Sequence, residues 1–198
     1  MKSLTAVAVL LLASTSAFAQ DQVELRRLFE AGKFQQVVEA VTPEASPEAI
    51  YTAAQSHQKL GATEQASQLY GQLAARPEGD VWHFIGLSGQ QLVEDNTDAA
   101  LESASHAVDM AGGSADAQYQ LGLVLAKRQA WRDAAAAFER VSEIDPANAY
   151  AHYYGGLMHY RAGRPDRMAI HFEQFLKLAP EAPERPEVLQ IMRTVRGR

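Results

Sequence analysis

The chain has 198 residues, 47% of them hydrophobic and 21% charged, with only 13 Gly and 8 Pro, a composition that excludes intrinsic disorder. Its formal net charge of −6 argues against a nucleic-acid binder, because phosphate contacts need a basic surface. It contains no cysteine, which rules out disulfides and a lipid-bearing cysteine.

The first predicted element is a leader. Lys2 is followed by the apolar run LTAVAVLLLA and then by small residues that close on Ala17-Phe18-Ala19, an A-x-A cleavage signature before Gln20. Residues 1–19 therefore read as a secretory signal peptide, with an apolar run about half the ~20 residues a spanning helix needs. Cleavage after Ala19 places the protein in the periplasm or outside the cell. The mature chain carries a net charge of −7 and no later run of about 18 apolar residues, hence no integral membrane segment.

Residues 20–46 hold VELRRLFEAGKFQQVVEAV, two short helices around Gly32 stopped by Pro43, expected to form an N-terminal cap. Ser46-Pro47-Glu48 then opens a helix with a capping residue, a proline at the first helical position and an acid in the first turn. From here the chain repeats itself every 34 residues, in units 47–80, 81–114, 115–148 and 149–182. Place eight holds Ala54, Ser88, Gly122 and Gly156, and place twenty-four holds Tyr70, Ala104, Phe138 and Phe172. Small residues at place eight and at place twenty (Ala66, Ala100, Ala134) let two antiparallel helices approach closely, and the large residue at twenty-four fills the space between units. In the unit 81–114, Trp82, Ile85 and Gly86 also fit an inter-helix turn two residues longer. Pro183 and Pro186 interrupt the pattern, and PEVLQIMRTV forms a C-terminal capping helix within residues 183–198, followed by a basic tail.

Leu121-Gly122, Ala134-x3-Phe138 and Pro146 resemble the tetratricopeptide repeat, whose pattern W-x2-L-G-x2-Y, A-x3-F, P has this period. The resemblance is to the exported bacterial type and covers all four units. It implies an all-α fold, a right-handed superhelical solenoid of antiparallel helix pairs. Departures from the pattern include Gln118 and Leu125 in place of aromatics, Gly155 in place of a large apolar residue, Met168 in place of a small one, and Gly112 in place of the closing proline.

The resemblance also implies a concave groove lined by places two, five, nine, twelve and thirteen of each first helix. Carried onto this chain, those places give a partner-binding groove containing Tyr51, Lys59, Trp82, Tyr119, Lys127, Tyr150, Tyr153, Tyr160 and Arg161. Tyr51, Tyr119 and Tyr153 share place five and are expected to form a row, while Lys59, Lys127 and Arg161 share place thirteen and are expected to form a basic rail. Such a surface suits an extended peptide or a partner helix. Packing of the tyrosines between adjacent first helices is the competing expectation.

No phosphate-cradling loop or nucleophile elbow is present, since the Gly-Gly pairs at 112–113 and 155–156 lack a P-loop lysine and a preceding strand. His152 and His159 lie two turns apart, with His171 on the following helix. Their spacing is not the i, i+4 arrangement that chelates from one helix, so they are expected to be packed or water-bonded, with no metal and no cofactor. The sequence thus reads as a non-catalytic protein–protein interaction scaffold of the cell envelope, holding a protein or peptide partner. A self-assembling structural solenoid and an envelope hydrolase remain as alternatives.

Overall fold

The structure, a computed structural model, describes residues 22–42 and 44–197; the expected leader lies outside them. Helix α1 covers residues 22–30 and α2 Phe34–Ala40. Four longer pairs follow: α3 (Pro47–Lys59) with α4 (Thr63–Ala74), α5 (Val81–Val93) with α6 (Thr97–Met110), α7 (Ala115–Lys127) with α8 (Trp131–Ile144), and α9 (Ala149–Arg161) with α10 (Pro165–Leu178). Helix α11 (Arg185–Arg196) closes the chain. Among the described residues there is no strand and no helix long and apolar enough to cross a membrane.

The sequence explains the regularity of the pairs. Each first helix is capped by a side chain: Ser46, Asp80, Ser114 and Asn148 accept hydrogen bonds from the backbone N–H of Ala49, Trp82, Ala117 and Ala151. Each cap satisfies a donor that the helix cannot, typically worth about 1 kcal/mol. Every inter-helix turn then needs one left-handed residue, supplied by Gly61, Asp95, Gln129 and Gly163 with φ of 74°, 63°, 61° and 72°. Asp95 is therefore the counterpart of Gly61, and the turn 94–96 has the same three-residue length as the others. The longer turn that Trp82, Ile85 and Gly86 allow is not the one adopted.

Close approach within a pair follows from the small residues. A methyl group placed on Gly156 would lie 2.4 Å from Phe172 Cδ1, and one on Gly122 would lie 2.8 Å from Phe138 Cζ. In the second pair the small residues are joined by a hydrogen bond instead, from Ser88 Oγ to the Ala100 carbonyl at 2.9 Å. Ala104 at place twenty-four packs with Ala100 and Val124, and Gln120 reaches Ser88 from the next pair. That side chain, 1% exposed, donates to Ser88 Oγ at 3.1 Å and accepts from the Tyr51 hydroxyl at 2.9 Å. A polar chain thus ties the first helices of three successive pairs together inside the core.

The solenoid curls until its ends meet. Arg26 of α1 pairs with Asp145 at 2.8 Å, and Glu30 accepts a hydrogen bond from the Ala149 N–H at 3.3 Å. Phe29 packs edge-on against Tyr150 with ring centroids 5.0 Å apart. At the other end, a methyl group on Gly32 would lie 2.8 Å from Pro183 Cδ, so the turn between α1 and α2 abuts the loop before α11.

Candidate functional site

The first helices α3, α5, α7 and α9 bring their inward residues to one concave face, as expected of a solenoid, but the ends of the chain cover part of it. Tyr51, Trp82, Tyr119, Tyr150 and Tyr153 are all buried, at 3%, 8%, 6%, 2% and 7% exposure. Tyr51 packs against Trp82 and Tyr70, with ring centroids 5.8 and 6.0 Å away. Tyr150 donates its hydroxyl to Glu184 at 2.8 Å, and Tyr153 donates to Glu187 at 3.1 Å. The carboxylates come from the C-terminal cap, so the two tyrosines bind the chain's own end. Burial pushes the phenols of Tyr51, Tyr119, Tyr150 and Tyr153 well above the usual tyrosine range, and all four are neutral donors at neutral pH.

Two of the three place-five tyrosines, Tyr119 and Tyr153, are joined through a residue outside the row. Tyr154 lies 5.9 Å from Tyr119, 6.2 Å from Tyr150 and 4.9 Å from Tyr153, and stacks on Phe138 at 5.3 Å. It is the hub of the aromatic face. The signal that places it there is its i, i+4 spacing from Tyr150, which sets both on one side of α9.

The three cations of place thirteen do not form a free rail. Lys59 turns inward: its ammonium donates to Glu184 Oε1 at 2.7 Å and sits 4.9, 5.8 and 5.6 Å from the ring centroids of Tyr150, Tyr153 and Tyr154. Burial alone would lower its pKa; Tyr154 and the Glu184 carboxylate outweigh burial and hold it above the ordinary lysine value. Lys127 pairs with the exposed Asp95 at 2.8 Å, a contact of small energetic weight. Arg161 lies over the Trp131 ring at 6.0 Å, and Tyr160 is 37% exposed beside it.

What stays open on the concave face is a cavity of about 370 Å³. Phe29, Gln55, Gln58, Lys59, Leu92, Leu123, Lys127 and Tyr154 line it with Tyr119, so five helices contribute to one wall. A smaller cavity of about 70 Å³ lies beside it, between α1 and the buried tyrosines, with Asp116 in its wall. Burial, with the nearby Glu48 carboxylate, raises the Asp116 carboxyl to about 6.

A second cluster lies away from the groove, between α8, α9 and α10. His159, 1% exposed, stands 3.0 Å through Nε2 from Glu139 Oε1. His171 lies 4.0 Å through Nε2 from the same oxygen, and its Nδ1 is 3.3 Å from Nδ1 of His152. His152 and His159 lie on α9 and His171 on α10, so the cluster is made by helices packed side by side and not by spacing along one helix. Glu139, on α8, is the member that sequence spacing did not reveal.

The family model for the tetratricopeptide repeat matches residues 116–148. Among solved structures, the chain is similar to TTC0263, a thermophilic TPR protein of Thermus thermophilus. Identity is 19% and the TM-score 0.62, over 88% of this chain and 98% of that one. The fold is that of a tetratricopeptide-repeat solenoid. YrrB, a TPR protein with an unusual peptide-binding site, matches at 17% identity and a TM-score of 0.51, over 95% of this chain and 88% of that one. MamA matches at 21% identity and a TM-score of 0.51, over 73% and 84%. At these identities the likeness is one of fold. None of the curated proteins compared with the solenoid matches it in sequence.

Proposed function

We propose that this solenoid is a non-catalytic interaction scaffold of the cell envelope, receiving an extended peptide or a helix of a partner on its concave face. The observation that carries the reading is the cavity of about 370 Å³ where five inward-facing helices converge. Its wall combines the apolar side chains of Phe29, Leu92 and Leu123, the amides of Gln55 and Gln58, and the cations Lys59 and Lys127. That mixture suits a backbone with side chains on both sides, since amides pair with peptide groups and apolar walls take alternate side chains. The peptide-binding site of YrrB, on the same fold, supports it. Residues 1–19, read as a leader, support the envelope location.

The test is cross-linking in the native envelope with wild type and with a Leu123→Glu, Lys127→Glu variant, which leaves the hydrogen bonds of the buried tyrosines intact. Cross-links mapping to α3 and α7, lost in the variant, are expected; retention of every partner by the variant overturns the reading. The mature N-terminus, read in the same sample, is expected to be Gln20.

A further inference from the structure

The unit 149–182 departs from the repeat pattern at places that converge in space. His152 and His159 stand where packing aromatics are usual, and Gly155 stands where a large apolar residue is usual. A methyl group on Gly155 would lie 2.9 Å from Nδ1 of His171. The missing side chain is what lets the imidazole of α10 enter the interface beside His159 and Glu139. Their ligand atoms, one each, all lie within 4.8 Å of one another.

The hydrogen bonds fix which ring nitrogens carry protons. The Pro146 carbonyl can only accept, and His152 Nε2 lies 3.3 Å from it, so Nε2 of His152 is protonated and its Nδ1 accepts. His171 Nδ1 then donates to His152 Nδ1 at 3.3 Å, and His171 Nε2 is left with a bare lone pair aimed toward Glu139 Oε1. On the other side His159 Nε2 faces the same oxygen, while its Nδ1 is buried with no hydrogen-bond partner. A lone pair, a carboxylate and a second imidazole able to turn one to the same point make an incomplete set that a cation completes. The outer ring nitrogen of His171 is already held by His152, the arrangement that orients a metal-ligating histidine.

We propose that Glu139, His159 and His171 bind a divalent transition metal of the zinc class, with His152 positioning His171 from outside the ligand set. All donors are nitrogen or oxygen, and three protein ligands leave a fourth place for water. Ligand atoms around such an ion are about 3.4 Å apart at ~2.1 Å bond lengths, so His159 moves out from 3.0 Å and His171 moves in from 4.0 Å. On binding, the His159 ring proton passes from Nε2 to the unpartnered Nδ1, and the ring stays neutral. Arg167 Nη1 lies 3.4 Å from the same Glu139 oxygen and competes for it. That arginine is exposed, and its pairing is weak enough to give way. The ion would clip three consecutive helices, α8, α9 and α10.

The test is isothermal titration of the untagged full-length chain with zinc chloride at neutral pH, with competition by a chelator. One ion per chain is expected. Glu139→Gln and His171→Gln are expected to abolish the site, and His152→Ala to weaken it by about 10- to 100-fold, as loss of an outer partner does. Thermal melts of the metal-free variants separate loss of ligands from loss of fold. Wild type alone gives a second readout: zinc should shift the imidazole Nε2 resonances of His159 and His171 and leave His152 without a metal-bound nitrogen. No zinc binding by the wild type, unchanged affinity in either glutamine variant, or zinc-induced shifts confined to other histidines would each overturn the assignment.

Discussion

Lys59 and Glu184 meet at 2.7 Å across 125 residues of chain, joining the end of α3 to the start of α11. The pair is mostly shielded, with side chains 24% and 13% exposed, and Tyr150 shares the same carboxylate through its other oxygen. Three tyrosine rings surround the ammonium at cation–π distance. The two ends of the solenoid are therefore latched to each other over the face where a partner would bind.

Removing the latch should open the curl. Glu184→Ala leaves the Lys59 ammonium and the Tyr150 hydroxyl without their acceptor, at a cost of about 1–3 kcal/mol. Urea denaturation is expected to show a lower midpoint. Small-angle scattering is expected to show a larger radius of gyration, and access to the groove should rise. An unchanged radius would show that the other end contacts, Arg26 with Asp145 and Phe29 with Tyr150, suffice.

The buried Gln120 links Tyr51 to Ser88. Gln120→Leu keeps much of the volume and removes both bonds, taking the acceptor from the buried Tyr51 hydroxyl, so it should cost about 1–3 kcal/mol. Gln120→Ala should cost more, because a cavity is added. Thermal or urea melts of the two variants check the order.

Two glycines should respond to alanine for different reasons. Gly156→Ala drives a methyl group to 2.4 Å from the fully buried Phe172 ring and should cost about 1–3 kcal/mol through overpacking. Gly61→Ala meets nothing within 4 Å, but its φ is 74°, so the cost is about 1–2 kcal/mol of backbone strain. Gly61→Asn should recover part of that strain and Gly156→Ser should recover nothing, a contrast measurable by melting temperature.

Acid should loosen the α8–α9–α10 interface. Burial lowers the pKa of His171 to about 4, helped by His152, His159 and Arg167 and opposed by Glu139. Burial also lowers His152 and His159. The unfolded chain, with histidine near 6.5, then binds more protons than the native one, so stability rises with pH between about 4 and 6.5 and falls as pH drops through that window. For His171 alone the loss is of order 2–3 kcal/mol over the full window. The urea midpoint of the metal-free protein, followed from pH 7 to 4, is expected to fall, and His171→Gln should flatten the curve.

The repeat itself was legible in the chain. A 34-residue period, small residues at place eight and a capping residue before each first helix are local properties, and helix formation and capping are decided within a few residues. Ser46 could be assigned its cap role without coordinates. Spacing sets Tyr51, Tyr119 and Tyr153 at the same place of their repeats, and only the resemblance to the tetratricopeptide repeat implied that this place faces inward. Whether those tyrosines face solvent or the chain's own end was not legible. It depends on the curvature summed over all the units, which brings Phe29, Glu184 and Glu187 back onto the inner face. The same limit hid Glu139: a three-helix cluster is set by inter-helix distances that no single helix encodes. The sequence by itself determined the period and the pairing of helices, since these rest on local sterics and hydrogen bonding. The tertiary structure alone decided the latched groove and the histidine–carboxylate cluster, since these need residues far apart in sequence to be packed together.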